Sequence, residues 1–150
     1  MGKLSLGRKI ALAVVALLVL IQLVPYGRNH QNPPHTKEPN WDSPKTRELS
    51  KAACFDCHSN QTVWPWYSHV APVSWMLQNH VTEGREHLNF SEFDRPQRDA
   101  DEAVEMVEKS YMPLTNYTWL HPEARLSDAD RKALAAGLQA TLGEQKRSRR

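Results

Sequence analysis

The sequence predicts an all-α protein behind a single N-terminal apolar segment, and three observations carry that expectation. Apolar residues between positions 43 and 142 recur at three- and four-residue spacing, several of these stretches open on recognisable helix caps, and no segment shows the two-residue alternation of a strand. The chain has 150 residues, enough for one domain with accessories. Its formal net charge is only +2, and the cationic residues are dispersed except at the last few positions, which argues against a nucleic-acid partner.

Lys3, Arg8 and Lys9 precede an apolar run from Ile10 to Val24, interrupted only by Gln22. Fifteen residues make about 22 Å of helix against a hydrocarbon core of about 30 Å, a span that flanking cations and an interfacial Tyr26 can complete. No small-x-small cleavage site follows, so residues 1–24 read as an uncleaved transmembrane anchor, with a cleaved signal sequence as the alternative. The basic end is expected to stay in the cytoplasm and the rest of the chain to lie outside it. Five of the ten prolines fall between Pro25 and Pro44, with little apolar content, so residues 25–40 read as an extended tether.

The domain is expected to occupy residues 41–143. Ser43-Pro44 supplies an N-cap and a proline at the first helical position, opening a helix through Leu49, Ala52 and Ala53. After the aromatic loop Trp64-Pro65-Trp66-Tyr67, Pro72 opens a second helix carrying Val73, Met76, Leu77, His80 and Val81, weakened at Gly84. Residues 97–110 predict a third, acidic helix with Ala100, Ala103, Val104 and Val107 on one face, ending at Met112-Pro113. Ser127-Asp128-Ala129-Asp130 resembles a capping box, starting a last helix through Leu134, Leu138 and Leu142 that Gly143 closes. Residues 144–150 form a basic tail expected to be disordered.

The chemistry concentrates in Cys54-Phe55-Asp56-Cys57-His58, which holds the only two cysteines. Two thiols three apart with a histidine directly behind the second have the spacing that attaches a c-type haem: two thioethers to the vinyl groups, and an imidazole as proximal ligand to iron. A zinc site would need a second Cys/His pair at finger spacing, and a redox dithiol a βαβ setting; neither pattern is present. A disulfide here would close only a very short loop. Covalent haem attachment belongs outside the cytoplasm, in agreement with the N-terminal segment.

A distal iron ligand could come from Met76, Met106, Met112, His69, His80, His87 or His121. Met76 and Met106 fall in predicted helices, where methionine usually serves packing. Met112 sits in a loop fixed by Pro113 and is the first candidate; His121, in Leu120-His121-Pro122, is its rival. Methionine would raise the reduction potential relative to a second imidazole. Trp64, Trp66 and Tyr67 are candidates to wall the cofactor, and Arg85 and Arg125 to pair with its propionates. His30 and His35 are expected to be exposed in the tether.

These stretches, with Ala71-Pro72-Val73-Ser74-Trp75, Leu88-Asn89-Phe90-Ser91 and Tyr117-Thr118-Trp119-Leu120-His121-Pro122, resemble the bacterial haem-binding domain family of small, membrane-anchored, cytochrome c-like proteins. The resemblance covers roughly residues 41–142. It implies a cytochrome c-like helical domain that binds one haem c through Cys54, Cys57 and His58, and it supports Met112 as the methionine of a Met-Pro pair. The expected function is one-electron transfer at the outer face of the cytoplasmic membrane, with redox partner proteins, rather than catalysis. The alternatives are a haem-based sensor or a peroxidase-like enzyme with an open sixth coordination site, where His69, His80 or His87 could act as acid or base.

Overall fold

The computed structural model describes residues 5–148, with side chains described to Gly143. It is all-helical, with 59% helix and no strand among the described residues. Among the described residues seven α-helices follow one another: α1 Leu6–Leu20, α2 Pro44–Ala53, α3 Phe55–His58, α4 Val73–His87, α5 Ala103–Glu108, α6 Thr115–Leu120 and α7 Asp128–Ser148. The chain forms two compact units, residues 5–31 with Trp64–His80, and Asn32–Val63 with Val81 onward.

In the first unit, α1 continues through a 3-10 turn at Ile21–Leu23. Together they make 18 residues of mean hydropathy 2.1 with none buried, long and apolar enough to cross a membrane. At 1.5 Å per residue this is about 27 Å, closer to the hydrocarbon thickness than the run Ile10–Val24 alone.

The second unit owns the hydrophobic core: Leu49, Phe55, Leu88, Phe90, Phe93, Val107, Leu134, Ala135, Leu138 and Leu142. Phe90 is its centre, 5.6 Å from Phe55, 6.0 Å from Phe93 and 5.2 Å from Trp41 between ring centroids. Offset aromatic stacking of this kind adds about 0.5–1.5 kcal/mol per pair to area burial. Around it, α7 packs on both α2 and α5.

The local signals at the helix starts act as their chemistry dictates. Ser43 Oγ accepts the Thr46 N–H at 3.2 Å and caps α2. Ser127 Oγ accepts the Asp130 N–H at 3.1 Å and donates to the Asp130 carboxylate at 2.7 Å, so the shorter aspartate closes the box onto the serine hydroxyl. Two expectations about extent need correction. The acidic helix is only α5, because the residues before it bond elsewhere: the Asp99 N–H goes to His87 O, and Gln97 bridges Asn89 N and Glu92 O. At the far end α7 does not stop at Gly143 but continues to Ser148, through residues with good helix propensity. The basic tail is therefore helical as far as it is described; residues 149–150, like Lys3, lie outside the described residues.

The proline-rich stretch turns at Tyr26 and Gly27, and its second half is bonded along the second unit. The Thr36 and Lys37 N–H groups both donate to Ser91 O, at 2.9 and 3.0 Å, and Lys37 O accepts the Phe93 N–H at 2.8 Å. Glu38 accepts from Arg47 Nε and Nη2, at 2.6 and 2.7 Å, and from the Trp41 indole N–H at 2.6 Å.

Candidate functional site

α2 ends one residue before the motif. Cys54, at φ −126°, leaves the helical path, and α3 starts afresh from it: the Cys57 and His58 N–H groups both donate to Cys54 O, at 3.2 and 2.8 Å. One turn, with Cys54 at its N-cap and Cys57 and His58 on α3, therefore carries both thiols and the imidazole. Phe55 is its anchor, buried in the aromatic core, while Cys54, Cys57 and His58 remain partly exposed.

His58 is oriented from the far side. Its Nδ1 lies 3.0 Å from Leu88 O, and its own carbonyl accepts the Phe90 N–H at 2.8 Å, so the residues after α4 grip the histidine twice. A backbone carbonyl on Nδ1 fixes the tautomer that leaves Nε2 as the nitrogen able to bind a metal. Burial holds the imidazole below its ordinary pKa, against the opposing pull of the Leu88 and Gly84 carbonyls. A neutral ring is the ligating form.

The cysteines are both free thiols. Burial, then the neighbouring Cys57, pushes Cys54 up to about 12. Cys57 is pushed up to about 11 by burial and Asp56, with Arg85 opposing. Both are protonated at neutral pH.

Gly84 belongs to this site. A Cβ on it would stand 2.5 Å from Cys57 O and 3.0 Å from Cys57 C, so only glycine lets α4 lie against the motif's backbone. In the sequence this residue reads as a weak point of the helix; in the structure it is the point of closest approach.

His58, with its Nδ1 held by a backbone carbonyl, and the two free thiols around one turn are the groups here that could hold a haem. The haem-binding domain family matches residues 16–140, most of the chain. This chain belongs to the haem-binding domain family. The match begins inside the apolar helix, so it is longer than the 41–142 stretch that carried the resemblance. No curated protein and no solved structure matches the chain.

In this haem-binding domain the residues between the cysteines are not mere spacers. The Asp56 carboxyl accepts the Val63 N–H at 2.9 Å and the Tyr117 hydroxyl at 2.6 Å, and its carbonyl accepts Thr62 Oγ1 at 2.7 Å. Burial first, then the bond to Asp56, holds the Tyr117 phenol protonated. Tyr117 stacks on His121 with centroids 4.1 Å apart. The segment that carries both distal candidates is thus tied to the motif through one phenol, on a helix, α6, that no apolar period announced.

Met112 is partly buried in the turn after α5. Its N–H donates to Met106 O at 3.0 Å, and its carbonyl accepts Arg131 Nη1 at 3.3 Å. His121 is also partly buried, with its side chain 15% exposed and Nδ1 3.0 Å from a Glu123 carboxylate oxygen. Of the remaining candidates, His87 pairs with Asp99 and Met76 is exposed on α4. Arg85 serves the interior of the domain. It donates to Ser59 O at 2.8 Å and to Asn32 and Thr62 at 2.9 Å, clamping the loop that leaves the motif. Arg125 donates to Thr118 O at 2.7 Å and Trp119 O at 3.2 Å, satisfying the carbonyl end of α6. His30, expected to be exposed, is packed in the first unit, stacked on Trp64 at 4.6 Å.

Proposed function

We propose that this haem-binding protein carries one haem c, bonded through Cys54 and Cys57, and passes single electrons at the outer face of the cytoplasmic membrane. The observation that carries the reading is the Leu88 carbonyl on His58 Nδ1, which turns a neutral Nε2 into a pre-set proximal ligand beside two free thiols. When bound, haem iron supplies a one-electron couple. The chain's own residues fix the motif that would hold it: Phe55 anchors the motif in the core, Gly84 admits α4 against its backbone, and Tyr117 fixes Asp56. α1 would anchor the domain, with the basic residues before Ile10 on the cytoplasmic side.

Met112 is proposed as the distal ligand, from the Met-Pro pair of the resemblance. A second reading has an observation of its own. His121 stacks on the phenol tied to the motif, and its Nδ1 faces a carboxylate, the outer partner that a ligating histidine commonly has.

Protein matured with its attachment apparatus should give a two-thioether pyridine haemochrome, a low-spin ferric spectrum and a near-infrared methionine–iron band. Met112→Ala should abolish that band, whereas His121→Ala should leave it intact; the reverse sensitivity would move the ligand to His121. Pigment that extracts into acidified organic solvent would rule out the covalent reading. A high-spin ferric spectrum in the unaltered chain would replace electron transfer by the open-site alternatives, a haem-based sensor or a peroxidase-like enzyme.

A further inference from the structure

The first unit is built by clamps that fasten the end of α1 to the aromatic loop. Gln22, the one polar interruption of the apolar run, pairs its side-chain amide with a backbone peptide: Nε2 donates to Ala71 O at 2.9 Å, and Oε1 accepts the Ala71 N–H at 3.0 Å. Arg28 Nη2 donates to the same Oε1 at 3.1 Å. Gly27, at φ +76°, turns the chain so closely over α4 that a Cβ would stand 2.3 Å from Ser74 O. His30 stacks on Trp64, meets His69 edge-on at 4.3 Å, and places Nε2 3.0 Å from Ser68 O. Residues 25–31 are consequently no free lead: they bind the loop at Trp64–Pro72 directly to the exit of the apolar helix.

What the clamps leave outside is apolar. Trp66 is 78% exposed, touching Tyr67 edge-on at 5.8 Å; Tyr26 and Val70 are 51% and 44% exposed. A large indole turned outward costs apolar burial in water, yet it suits the boundary between hydrocarbon and headgroups, where one side of the ring is dry and the N–H stays wet. The rigid link to α1 confines that ring to the level at which the span ends, because Gln22 lies one residue from the span's last residue, Leu23.

We infer that the loop Trp64–Pro72 is a second membrane contact, with Trp66, Val70 and Tyr26 seated in the headgroup layer of the bilayer that α1 crosses. The inference rests on the anchoring reading and deepens it: the first unit lies on the lipid surface instead of merely being leashed to it.

The full holoprotein, reconstituted in phosphatidylethanolamine–phosphatidylglycerol vesicles carrying a phospholipid with a diazirine near its glycerol, tests this by photolabelling and peptide mass spectrometry. Label is expected on the α1 peptide and also on the peptide that contains Trp66 and Val70. The double variant Trp66→Ser, Val70→Ser should lower loop labelling at least about fivefold while α1 labelling persists. Label confined to α1 would overturn the second contact and leave the anchor standing. Absence of label from both peptides would overturn the anchor itself, and the inference with it.

Discussion

The two units are held together by different forces. The second encloses Phe55, Phe90, Phe93, Leu134 and Leu138, each at most 5% exposed, and behaves as a domain with its own interior. Among the described residues of the first unit, Ala71 is the only buried hydrophobic one, while Trp66, Val70 and every residue from Leu6 to Leu20 face outward. Gln22, Gly27 and His30 fix its shape through polar and close-approach contacts instead. The stretch Cys54 to His58, by contrast, sits in the unit that has a hydrophobic core.

This contrast can be broken most forcefully at Phe90. Phe90→Ala removes the ring that joins Trp41, Phe55 and Phe93, and should destabilise the second unit by about 3–5 kcal/mol. Urea unfolding in detergent, followed through the haem absorbance, would check it; a loss below about 1 kcal/mol would mean that the aromatic stack is not the core's centre.

Gly84→Ala comes next. Its Cβ would meet the backbone of Cys57 rather than the end of a flexible side chain, so the expected cost is about 2–3 kcal/mol. Because the strain falls on the motif, the low-spin spectrum should change along with the melting temperature. A variant that melts early with an unaltered spectrum would assign Gly84 to the fold alone.

The smallest effect should be at Trp66. In detergent, Trp66→Ser should shift stability by no more than about 0.5 kcal/mol, because the exposed ring leaves no cavity behind. A cost of about 2 kcal/mol or more would show that the ring packs inside the protein and would erase the difference between the units.

How far these features can be read from the sequence depends on the range of the interaction. Ser43-Pro44 and Ser127 to Asp130 are legible because a cap is a contact over three residues. Membership of the haem-binding family is legible because the residues that suggest it, Cys54 to His58, lie within five positions. Gly84 and Gln22 mislead for the same physical reason: each looks like a local defect, a helix weakener or a polar break, while its partner lies 27 or 49 residues away. The shortened α5 has this cause too, since Gln97 and Asp99 bond to groups beyond any helical window. α6 escapes detection because it is a single short run, Thr115–Leu120, with no buried residue to give it a period. Its bond from Tyr117 to Asp56 carries no signal in spacing.

That bond also sets an order of events. Synthesis runs from the amino end, so Asp56, between the two thiols, emerges 61 residues ahead of the phenol that fastens it. The brace on Asp56 therefore exists only once Tyr117 has been made, and in the finished chain it closes like a latch from the far end of the sequence.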